Sequence, residues 1–66
     1  MTNEEVKQRV EEIRLLANDD EIAHMHEASL YEDLLQSIAD GTCDEPSKCA
    51  SSALSTSNID FSRWYA

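Results

Sequence analysis

Apolar residues return at spacings of three and four over much of this chain, and that period, more than any motif, limits what it can fold into. Val6, Val10, Ile13 and Ala17 follow one another at intervals of four, three and four, which confines them to a stripe of roughly 60° on a helix turning about 100° per residue. Glu4, Gln8, Glu11 and Glu12 fall on the opposite side. Thr2 precedes Glu5 by three residues, the spacing of a capping box. A first helix is therefore predicted over about 3–17.

The run "ANDDE" breaks this pattern, and either Asn18 with Glu21 or Asp19 alone can cap a second helix. That helix is expected over about 20–40, ended by Gly41, the only glycine in the chain. Ala23, Leu30, Tyr31, Leu34, Leu35 and Ile38, with Ala28 and Ala39 at the margin, spread over close to half of its circumference. A face that wide predicts contact with two other elements. Asp44 as cap and Pro46 in the first turn open a shorter third helix, about 45–57, whose Cys49, Ala50, Ala53 and Leu54 form a stripe of small residues. Ser51, Ser52, Ser55 and Ser57 resemble a linker by composition, but their placement between the Ala and Leu positions favours helix. After Asn58 the period changes. Asp60 can cap a single turn over 60–65 that gathers Phe61, Trp64 and Tyr65, three of the chain's four aromatics. The expected fold is all-α: an antiparallel helical hairpin, a shorter third helix across it, and the aromatic C-terminal turn packed on the bundle.

Sixty-six residues make one domain, 1–66, with a thin core. Fourteen Asp and Glu against five Lys and Arg give a net charge of -9, which repels nucleic acid and anionic membrane and favours a basic partner. No apolar run is long enough for a bilayer, and no basic-then-apolar start marks secretion. The expected location is the cytoplasm.

Candidate sites are few. Cys43 and Cys49 are the only cysteines; an oxidising compartment would join them in a disulfide, whereas a reducing one leaves free thiols, Cys49 facing the core. In "HMH", His24 and His26 point roughly 160° apart on a helix, which argues against a zinc pair. His24 and Glu27 project toward the apolar side in line with Tyr31, close enough to pair, and form a candidate interaction patch. Phe61, Arg63, Trp64 and Tyr65 are read either as a clasp on the core or as a displayed hot spot. Glu4, Glu11 and Glu12 form a candidate acidic surface. No nucleophile constellation, phosphate loop or metal box is legible, so neither enzymatic activity nor a cofactor is expected.

The stretches "EEVKQRVEEIRLLA" and "LYEDLLQSIADG", an Ala-containing third helix after a proline, and above all the ending "IDFSRWYA" resemble a group of small uncharacterised proteins of actinobacteria and their phages. The resemblance implies a small intracellular helical protein and brings no catalytic residues. Cys43, Cys49 and the serine-rich third helix are not shared with that group.

The expected function is non-enzymatic binding of another protein, in the form of a phage-encoded modulator of a host protein. Two alternatives stand beside it. One is a nucleic-acid mimic, with Glu4, Glu11 and Glu12 occupying a basic groove. The other is a self-associating homodimer that completes its thin core through the second helix.

Overall fold

A computed structural model describes residues 1–63. It contains three α-helices, α1 (Asn3–Leu15), α2 (Asp20–Ala39) and α3 (Pro46–Leu54), followed by a 3-10 turn at Ser55–Asn58; among the described residues there is no strand. Trp64, Tyr65 and Ala66 lie outside the described residues, and with them two of the three aromatics of the expected turn.

The helix ends follow from specific side chains. Thr2 Oγ1 accepts the Glu5 N–H at 3.1 Å and donates to the Glu5 carboxylate at 3.3 Å. Half of the capping box is thus present, with the return bond made to the hydroxyl rather than to the backbone. Of the two candidate caps for α2, Asp19 is the one used: its Oδ1 accepts the Ile22 N–H at 3.2 Å. At the other end Gly41 adopts φ +75°. The Thr42 N–H bonds to the Ser37 carbonyl at 2.9 Å and the Gly41 N–H to that of Ile38 at 3.1 Å, the paired bonds of a Schellman motif.

The entry to α3 differs from the sequence expectation. Its cap position is Glu45, in the left-handed region at φ 53°, with no side-chain cap and Pro46 next. Asp44 stands one residue too early, and its backbone N–H is already given to the Met1 carbonyl at 3.0 Å. The helix also stops at Leu54, and the chain tightens into the 3-10 turn over the last positions of the predicted span.

Val6, Val10 and Ile13 of α1 are buried as their period requires, together with Ala23, Leu30 and Leu34 of α2, Cys49 and Ala53 of α3, and Phe61. α1 packs against both α2 and α3. On α2 the buried stripe also contains Glu27 and Ser37, whereas Leu35 and Ile38, expected on the core face, are exposed. Ser37 is buried because it receives a charge: the Met1 ammonium donates to Ser37 Oγ and to the Thr42 carbonyl, each at 3.0 Å. Arg9 reaches Asp33 at 2.7 Å, fastening α1 to α2.

Candidate functional site

Glu27 sits one turn below Tyr31 on the inner side of α2, and the C-terminal segment folds back over both. Arg63 Nε lies 2.9 Å and 3.2 Å from the two Glu27 carboxylate oxygens, and its Nη2 lies 3.1 Å from Oε2. The same guanidinium donates to three backbone carbonyls: Thr56 at 2.6 Å, Ile59 at 3.0 Å and Phe61 at 3.2 Å. It also lies over the Phe61 ring, 3.7 Å from the centroid. One planar fork with five donors satisfies an acid and closes the chain around itself.

Thr56 completes the network. It is fully buried, its hydroxyl is 2.5 Å from the Tyr31 hydroxyl, and it also hydrogen-bonds to Glu27. Burial pushes the Glu27 carboxyl upward. Hydrogen bonds from Arg63 and Thr56, with the charges of Arg63 and His24, outweigh it and hold the pKa below the ordinary carboxylate range. The sequence pairs Glu27 with His24; Arg63 binds the same carboxylate, and His24 also favours its ionised form through its charge. Asp20 Oδ1 accepts the Ser62 N–H at 3.1 Å, a second tie between the tail and α2.

Four of the residues expected to form a patch, Glu27, Tyr31, Phe61 and Arg63, are thus brought together around Thr56, which the sequence reading did not single out. Glu27 and Phe61 are buried, while Tyr31, Arg63 and His24 are half-buried. Residues 61–63 are not helical. The rest of the expected Asp60-capped turn, 64–65, lies outside the described residues. Trp64 and Tyr65, also expected in the patch, lie outside the described residues.

The remaining candidates are separate from this cluster. Cys43 and Cys49 are free thiols, both directed at the Asp44 carbonyl oxygen, at 3.6 Å and 3.3 Å. Burial first, then the neighbouring Cys43 thiol, pushes the Cys49 thiol above its ordinary pKa. Glu4, Glu11 and Glu12 are exposed on α1; Glu11 pairs with Arg14 at 3.0 Å and Glu4 with Lys7 at 4.0 Å. Among the described residues no group of three or more His, Cys, Asp or Glu is arranged to hold a metal ion, and no helix is long and apolar enough to cross a membrane.

Between α2 and α3 the surface opens into an apolar groove of about 250 Å³ lined by Tyr31, Leu34, Leu35, Ala50, Ala53 and Leu54. Its walls are leucines left in solvent, Leu35 at 66% and Leu54 at 64% exposure. The ring of Tyr31 belongs to this groove while its hydroxyl belongs to the Thr56 network, so the clasp fixes one wall. The class that this architecture defines is a small acidic three-helix domain closed by an arginine clasp. No protein-family model, curated protein or solved structure matches the chain.

Proposed function

We propose that the chain is a non-enzymatic module that binds another protein through that partner's basic surface. One observation carries this reading: every Lys and Arg is already paired. Lys7, Arg9, Arg14, Lys48 and Arg63 are each paired with a carboxylate of the same chain, Glu4, Asp33, Glu11, Glu45 and Glu27 in turn. Fourteen acidic residues less these five leave nine. Those nine, Glu5, Glu12, Asp19, Asp20, Glu21, Glu32, Asp40, Asp44 and Asp60, are all exposed. α2 carries five acidic residues and no Lys or Arg.

An uncompensated anionic surface raises the encounter rate with a cationic protein and rejects anionic ones, and the effect falls steeply with salt. Affinity capture from the native source at low salt, followed by titration with the purified partner across ionic strengths, tests the reading. A stoichiometric basic protein whose affinity falls as salt rises supports it. Recovery of no stoichiometric partner, or of one held equally at high salt, overturns it.

A further inference from the structure

We infer that the groove between α2 and α3 is the docking site for an amphipathic helix of the partner, one that seats large apolar side chains in the groove and turns a cationic flank toward α2. This rests on the protein-binding reading and names the surface and the kind of segment that it takes.

The groove has the form of a helix receptor. Tyr31, Leu34 and Leu35 line it from α2 at spacings of three and four, a patch about one turn long. Leu54 faces it from α3, and Ala50 and Ala53, lining the groove beside it, are small enough to admit a close neighbour. A partner helix presenting anchors at i and at i+3 or i+4 matches such a patch. A strand does not, because the walls are two helices whose backbone groups are bonded within themselves and offer no edge to extend. Tyr31 is held by Thr56, so part of the groove is formed before anything binds.

Charge selects the occupant. Glu32, next to Tyr31 on α2, is exposed about 60° around the helix from Leu35, and α2 carries no Lys or Arg. Lys48, the only cation of α3, is engaged by Glu45 at 3.2 Å. A second copy of this chain would bring a charge of -9 against -9, and a six-residue groove covers far less than the roughly 1,200 Å² of total buried surface typical of a stable interface. A cationic helix meets no charge objection, and a transient complex needs less buried surface than a stable dimer.

The test uses three synthetic peptides of equal length: a Leu/Lys peptide with leucines at i, i+3, i+4 and i+7, its scrambled isomer, and a Leu/Glu peptide of the first pattern. Binding is measured by calorimetry and mapped by amide chemical shifts on the full chain. The Leu/Lys peptide is expected to bind most tightly and to shift Tyr31, Leu35, Ala50 and Leu54. Leu54→Glu adds a negative charge, so a purely electrostatic complex would tighten; a seated helix instead loses about tenfold or more in affinity. Leu35→Glu repeats the test from the other wall. Both side chains are exposed, and a thermal melt confirms that each variant is folded.

Equal or tighter binding by both Glu variants overturns the inference, as does equally tight binding of the Leu/Glu peptide. So does a dimer in sedimentation that Leu54→Glu dissociates, which would make a second copy the occupant. If the scrambled cationic peptide binds as well and the groove amides stay still, the groove assignment falls while binding of basic partners stands. If no cationic peptide binds at all, both fall.

Discussion

Arg63→Met removes the guanidinium and leaves much of the apolar stem, so it asks what the clasp contributes. In the Glu27–Arg63 pair the Glu27 side chain is 8% exposed and that of Arg63 29%. Taking one partner from a fully buried pair costs roughly 3–5 kcal/mol, because a charge is left without compensation. A pair wholly in water contributes about 0–1 kcal/mol. With the acid buried and the base partly open, the expected cost is about 2–3 kcal/mol. The whole domain is stable by only about 3–10 kcal/mol at its length. Each kcal/mol moves the midpoint of so small a domain by about 4–8 °C, so Arg63→Met should melt about 10–20 °C lower at pH 7.

The pH dependence gives the sharper check. Burial raises Glu27, but Arg63, Thr56 and His24 together bring its folded pKa below the ordinary value. A depressed carboxyl stabilises the fold above its unfolded pKa of about 4.3, and that stability is lost as pH falls through the folded pKa. Without Arg63 the burial effect is left with weaker opposition, the Glu27 pKa rises, and protonation relieves the stranded charge. The stability gap between the two proteins should therefore be full at pH 7 and shrink below about pH 5. Urea denaturation at several pH values, with Glu27→Gln and the double variant completing a cycle, measures it. A midpoint within a few degrees of the parent at pH 7, or a gap constant from pH 7 to 4, would refute the reasoning.

Tyr31→Phe keeps the groove wall and deletes the hydroxyl bonded to buried Thr56; a loss of about 1 kcal/mol is expected in urea melts, and an unchanged midpoint would mean that the bond carries no net stability. Gly41→Ala meets no atom within 4 Å, but the backbone there is at φ +75°, so a cost of about 1–2 kcal/mol should come from conformation alone. Gly41→Asn should recover part of it, and equal melts for all three proteins would exclude a conformational origin. Iodoacetamide should label half-buried Cys43 well before Cys49, which is fully buried with a raised pKa; mass spectrometry should find equal rates only in denaturant.

What could be read from the sequence divides along a physical line. The α1 stripe, the Thr2 and Asp19 caps and the Gly41 terminus are local: their signals and their consequences lie within a few residues. The departures are non-local. Glu27 and Ser37 fall inside the stripe of α2 that is buried, yet nothing near them announces why, because Arg63 and the Met1 ammonium each come from 36 residues away. Periodicity also shows that a face is apolar without saying which half of it will be covered. On α2 the half with Leu30 and Leu34 is buried, whereas Leu35 remains open, since α3 has only nine residues and faces it with alanines and one exposed leucine.

These departures are connected through Tyr31. Its hydroxyl is held by the same Thr56 whose carbonyl and side chain serve Arg63 and Glu27, while its ring stands in the groove. Loosening the clasp should therefore loosen one groove wall as well. Arg63→Met, at a temperature where it is still folded, should weaken the Leu/Lys peptide although it raises the net negative charge by one. A purely electrostatic complex would instead tighten. Unchanged or tighter binding by that variant would show that the clasp and the groove are independent, and would remove preorganisation from the account of how the groove is kept open.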